Sequence, residues 1–174
     1  MKEFSSEEGD KHIKFNQRAL GSMLHNLIFV SAEAAPYSKT GGLGDVVGSL
    51  TIALADRGHR VMVVCPRYIT TARDRKLMGR LHDCQTWVKV DLGNGEHWVN
   101  FHHEARGGVD WVFVEHLSFE RPGGLYGNNQ GIYADNLFRC APIAAHLQLH
   151  VYVCWLPGNM AGCDVVPHTP HSSM

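Results

Sequence analysis

The stretch Lys39-Thr40-Gly41-Gly42-Leu43-Gly44-Asp45 follows closely on the apolar run Leu27-Ile28-Phe29-Val30-Ser31-Ala32-Glu33. The run reads as a strand over about residues 26–32 and the glycines as a turn. Leu43, Val46, Val47, Leu50 and Leu54 recur at helical spacing and predict one apolar face of a helix over about 41–57. Strand, glycine-rich turn and helix start, in that order, suit a phosphate-bearing ligand. The first N–H groups of a helix have no partner within it, and the helix dipole favours an anion there. Glycines let a ligand approach the backbone, and Lys39 adds a full positive charge at the mouth.

Working outward, Gly58 stands where a helix end favours a residue at positive φ. Arg60–Cys65 is a nearly continuous Val and Met run, which suits a parallel strand buried on both faces. Residues 69–82 read as a short basic helix or loop. Trp87, Val88, Val90 and Leu92 form a strand, Asn94-Gly95 a hairpin turn, and Trp98, Val99 and Phe101 the return strand. Val109–Glu115 is a further apolar strand, 121–135 a Gly- and Asn-rich loop, and Asn136 to about His150 a helix. The expected fold is α/β, with a mixed, mostly parallel sheet and an inserted hairpin.

The 174 residues are enough for one domain with a real core, and the net charge of −1 with no basic patch argues against nucleic acid. No apolar run is long enough to span a bilayer as a helix. The five cysteines, at 65, 84, 140, 154 and 163, form no CxxC pair, so neither a disulfide framework nor a zinc site is expected. Twelve histidines invite a metal reading, but no HxxxH or HExxH pairing occurs, and scattered surface histidines are the expectation. His102 and His103 should face opposite sides of a strand.

The turn has a rival reading as a dinucleotide fingerprint. Gly42, Gly44 and Gly48 give G-x-G-x-x-x-G, one residue too long, and the second strand ends Cys65-Pro66-Arg67 with no acid to hold a ribose. NAD is disfavoured; Arg67 leaves an NADP-binding oxidoreductase domain as a remote alternative.

Ser31-Ala32-Glu33-Ala34-Ala35-Pro36-Tyr37-Ser38 with the following KTGGLGD run resembles the start of the catalytic region of plant starch synthases, relatives of bacterial glycogen synthases. The resemblance continues through Gly58–Val64, Pro66-Arg67-Tyr68, Arg121-Pro122-Gly123-Gly124-Leu125-Tyr126-Gly127 and Asp135-Asn136-Leu137-Phe138-Arg139, covering roughly residues 26 to 139. It implies the Rossmann-like N-terminal half of a GT-B glycosyltransferase that moves glucose from ADP-glucose to an α-1,4-glucan, with no cofactor. It carries donor contacts onto Lys39, Gly41 and Gly42. Asp45 matches a family aspartate near the cleft, and a helix-start carboxylate that offsets the dipole is an equal alternative. Glu33 is expected as a solvated strand-end acid, with a place in the cleft as the alternative. Tyr126 is a candidate for lining the glucan cleft. Asp135, Asn136 and Arg139 are expected to be architectural, a cap plus a salt bridge. Thr51 stands where the family usually has proline, which should be tolerated because threonine restores a backbone donor.

The resemblance also implies a plastid location, and partners among other starch synthases or branching enzymes. Residues 1–25 are expected to be a disordered lead or linker; Glu3, Glu7, Glu8 and Asp10 make them a poor transit peptide, so the chain is expected to begin inside a longer product. Residues 140–174 are expected to be an atypical tail, splice- or frame-altered, because Val151–Gly158 lacks the histidine that the family places after its tryptophan. The family's C-terminal half, which supplies most donor contacts, has no counterpart here. The expectation is a chain inactive by itself, with a non-catalytic glucan- or synthase-binding fragment as the alternative.

Overall fold

The computed structural model describes residues 24–69, 72–92 and 95–147. Strand β1 (Asn26–Val30) leads through the glycine-rich turn into helix α1 (Gly42–Asp56) and back to β2 (Arg60–Pro66). Helix α2 (Ala72–Met78) and the short β3 (His82–Asp83) precede β4 (Val88–Asp91), β5 (Glu96–Arg106) and β6 (Val109–Glu115). A small ribbon, β7 (Gly127–Asn128) with β8 (Gly131–Ile132), lies before α3 (Asn136–Leu147). The order β1-β2-β6-β5-β3 is parallel from β1 to β6 and antiparallel beyond, with β4 paired to β5. The mixed sheet with an inserted hairpin is therefore as read from the sequence, but it is not mostly parallel: two of its strand pairs are parallel and three antiparallel, because β5 takes β3, β4 and β6 as antiparallel neighbours.

Strand β2 shows why its apolar run is continuous. Val61, Val63 and Cys65 enter a core with Val47, Trp111 and Phe113. Met62 and Val64 enter another with Val99, Phe101, Val114, Phe119 and Ile143. A strand buried on both faces has no polar side to alternate with. Strands β4 and β5 pair antiparallel, as a hairpin was expected to, but with Val88 opposite Val99 rather than the Val90–Val99 pairing that a two-residue Asn94-Gly95 turn would give, and β5 is longer than the return strand expected. It continues to pair with β6 across Gly107-Gly108, both at positive φ (60° and 69°), as a two-residue hairpin turn demands.

Two expectations need correction. The predicted face of α1 is largely not the buried one: Leu43, Val46 and Leu50 are exposed, while Gly44, Val47, Gly48 and Thr51 are buried, and Leu54 is partly so. The helix presses a small-residue stripe onto the loop before it, and a count of apolar residues does not register glycine and threonine. The histidines are not all on the surface: His102 and His116 are buried. His102 meets Glu115, whereas His103 Nε2 lies 3.1 Å from Asp110 on the other side of the strand. Both imidazoles fill hydrogen-bonding positions between strands.

Helix α3 continues past residue 140, where the atypical tail was expected to begin, and Ile143 is buried in the core. The rest of that tail, 148–174, and the lead up to residue 23 lie outside the described residues. No described helix is long and apolar enough to cross a membrane.

Candidate functional site at the strand ends

The β1–α1 connection lies at the C-terminal edge of the parallel strands, where open α/β sheets take ligands. It begins with a tight return. Ala34 N–H donates to Ser38 O at 3.1 Å, Ser38 N–H to Ala34 O at 2.9 Å, and Ala35 N–H to Gly44 O at 3.0 Å. Tyr37 is buried against Trp111 and Phe113, and its hydroxyl donates to Glu104. The chain that leaves this knot at Lys39 is therefore aimed by packing.

The four glycines of this segment separate into two pairs. A Cβ on Gly44 would lie 3.0 Å from Ser38 O and 3.3 Å from Glu33 Oε2, and one on Gly48 only 2.6 Å from Ala35 O. These two let α1 seat against the knot. Above Gly41 and Gly42 the space is open, with no heavy atom within 4 Å of a Cβ. Gly41 is the helix N-cap and has no side-chain capping bond. Lys39 is half exposed, and its Nζ lies 2.7 Å from Asp45 Oδ2. The three residues expected to meet a donor therefore sit together on one open edge, and Asp45 is the present counter-ion of Lys39.

Glu33 is not a solvated acid; only 3% of its surface is exposed. Its side chain turns under the glycine-rich turn, which is the physical reason for the correction. Thr40 N–H donates to Oε2 at 2.7 Å, Gly41 N–H to the same oxygen at 3.4 Å, and the Thr40 and Tyr126 hydroxyls to Oε1 at 2.5 and 2.7 Å. Burial alone raises the Glu33 carboxyl. The bonds from Thr40, Tyr126 and Gly41 outweigh it and hold the group below its ordinary value. Burial and the same carboxylate push the Tyr126 hydroxyl up, so it stays a donor.

Tyr126 is set in turn by α3. Asn136 Nδ2 donates to Tyr126 O at 2.8 Å, and Tyr133 N–H to the same oxygen at 2.9 Å. Arg139 is buried, with Nε donating to Ser118 O at 3.0 Å and Nη1 to Leu125 O at 2.8 Å and Asn136 Oδ1 at 3.0 Å. Arg121 pairs with Asp135 through both nitrogens. The Asp135, Asn136 and Arg139 cluster is thus architectural, though the Asp135 carboxylate serves Arg121. A largely apolar cavity of about 310 Å³ opens between Tyr126, Tyr68, Phe119 and α3. The sequence motifs located Lys39, Gly41, Gly42 and Tyr126. They did not reveal that Tyr126 meets Thr40 on the Glu33 carboxylate, because a link between residues 33 and 126 leaves no spacing signal in one sequence.

The sheet order, the strand-edge turn and the structural comparison together define the Rossmann-like N-terminal half of a GT-B glycosyltransferase. The catalytic domain of starch synthase IV from Arabidopsis thaliana, solved with ADP and acarbose, matches with a TM-score of 0.50 and 28% identity, over 60% of this chain and 22% of that one. The chain belongs to the starch synthase family: the family model "Starch synthase catalytic domain" matches residues 26–168. It is 56% identical over 117 residues to starch synthase 1 of Arabidopsis thaliana, covering 67% of this chain and 18% of that protein. It is 47% identical over 135 residues to soluble starch synthase 1 of Oryza sativa subsp. indica, covering 78% and 21%. The chain thus spans about a fifth of the length of these curated relatives. Both are named as chloroplastic/amyloplastic.

Proposed function

We propose that this chain supplies the N-terminal wall of a site that transfers glucose from ADP-glucose to an α-1,4-glucan in starch synthesis. The observation that carries this is Lys39 beside the open backbone of Gly41 and Gly42, at the ligand-binding edge of the sheet and the start of α1. The lysine and the helix N-terminus neutralise the donor diphosphate, and the bare glycines let it approach the main chain. The Lys39–Asp45 pair is about half exposed, so little holds it, and a diphosphate can replace Asp45 as the partner of Lys39. The relative solved with ADP and acarbose supports the same donor and acceptor classes. No cofactor is assigned. The relatives' names support a plastid location, and the resemblance adds other starch synthases or branching enzymes as partners.

A transfer site needs preorganised groups on both sides of the reacting atoms. By the resemblance these lie mostly in the other half of the family's catalytic region. We therefore expect the 174-residue chain to bind the donor weakly and to release no ADP with glycogen primer. Calorimetric titration of ADP-glucose into the chain tests the donor reading. Lys39→Ala should weaken binding about tenfold or more, the scale of a lost charge-assisted contact. Equal affinity of the variant, at unchanged fold, would overturn it. Glucan binding without donor binding would favour the non-catalytic fragment.

A further inference from the structure

We infer that Tyr126 is a positioning residue for the glycine-rich turn, acting through the Glu33 carboxylate and touching no donor atom itself. This rests on the donor reading above and extends it to what holds the site in shape. The turn is exposed from Lys39 to Leu43, and no side chain caps the helix at Gly41. An exposed run containing two glycines has many conformations to lose on binding a ligand, and whatever restricts it beforehand strengthens binding.

Among the described residues, the Glu33 carboxylate is the group that restricts it from beneath. One oxygen takes the Thr40 and Gly41 N–H groups, and the other takes the Thr40 hydroxyl. Three donors from one turn fix the carboxylate relative to the turn, and the Glu33 main chain ties it to the end of β1, where Ser31 Oγ accepts from its N–H and donates to its carbonyl. The Tyr126 hydroxyl, 93 residues away in sequence, adds a further fixed point, on the loop before α3, at 2.7 Å. Tyr126 is itself held by Asn136 and Tyr133 through its carbonyl. Gly44 completes the arrangement, because a Cβ there would lie 3.3 Å from Glu33 Oε2. The path from α3 to the donor turn therefore runs Asn136, Tyr126, Glu33, Thr40, with a hydrogen bond at every step. The loop that carries Tyr126 and the turn that carries Lys39 are coupled through the Glu33 carboxylate while it is charged. The titratable groups around this carboxylate are Tyr126 and Tyr68, Lys39 and Asp45 on the turn and helix start, and Arg139 and Cys140 on α3 behind the tyrosines.

The test measures amide hydrogen exchange and ADP binding on the full 174-residue chain, with Tyr126→Phe and Glu33→Gln. Without ligand, Tyr126→Phe should speed exchange of the Thr40 and Gly41 amides about tenfold, while the Val61–Val64 amides of β2 stay protected. ADP should bind about tenfold more weakly, the scale of one hydrogen bond to a charged group. In the wild type, protection of the Thr40 amide should fall as pH drops through the range of the Glu33 carboxyl. In Glu33→Gln it should be lower and flat with pH. A general loosening would move the β2 amides too and would carry no such pH dependence. Unchanged Thr40 exchange in Tyr126→Phe overturns the inference, whatever Glu33→Gln or ADP does. If Thr40 responds as expected but the wild type binds no ADP, the tether stands and the donor reading fails.

Discussion

The division of the glycines into seating and open pairs can be tested by adding one methyl group at a time. Gly48→Ala places a carbon 2.6 Å from the carbonyl oxygen of Ala35 and 3.2 Å from its Cβ. A carbonyl in the backbone of a knotted loop cannot rotate aside as a surface side chain does. Helix α1 must lift from the loop, stretching the Ala35 N–H bond to Gly44 O that now measures 3.0 Å. Overpacking of this kind costs up to about 3 kcal/mol, offset by about 1 kcal/mol from replacing glycine with alanine inside a helix. The net loss is about 2 kcal/mol, or a fall of about 4–8 °C in Tm for a chain of this size. Gly42→Ala is the control: nothing lies within 4 Å of its Cβ and its φ is not positive. It should leave stability equal or raise it by up to about 1 kcal/mol, yet weaken ADP-glucose binding by crowding the open edge. Urea unfolding followed by circular dichroism, with the slope checked for equality, measures both. A Gly48→Ala protein as stable as wild type would refute the seating role, and the proposed contact of α1 with the 34–38 loop would have to be wrong.

Two further outcomes follow from buried groups. Arg139→Met should cost about 3 kcal/mol in urea unfolding, because the carbonyls of Ser118 and Leu125 would be left without their buried donor. His116 is held below its ordinary value of 6.5, first by burial and then by neighbouring His97. Its folded form therefore favours the neutral ring, so the stability it contributes is present above 6.5 and is lost as pH falls from there. The urea midpoint should drop between about pH 7 and pH 5, and His116→Asn should flatten that decline. Glu33 and Asp83 are both held below their ordinary values of 4.5 and 3.8, so their own losses fall at lower pH.

What the chain alone determined is whatever local pattern and turn chemistry encode. The β1–α1–β2 unit, the doubly buried β2, the pairing of β4 with β5 and the strand at Val109–Glu115 were legible, because each depends on periodicity or on a backbone conformation that few residues adopt. The KTGGLGD stretch and its companions pointed to the starch synthase family, which the family match bears out. Tertiary structure alone decided which face of α1 is inside. Glycine and threonine add no apolar signal, yet their small size is what lets a helix approach a backbone, so Leu43, Val46 and Leu50 were misassigned. It alone also decided the state of Glu33. An acid at a strand end reads as solvated until a threonine and two N–H groups from the next turn, and a tyrosine hydroxyl far along the chain, converge on it. A buried carboxylate is tolerable only with such partners, and the distant one is brought to it by the packing of α3 and its preceding loop, which no local spacing records.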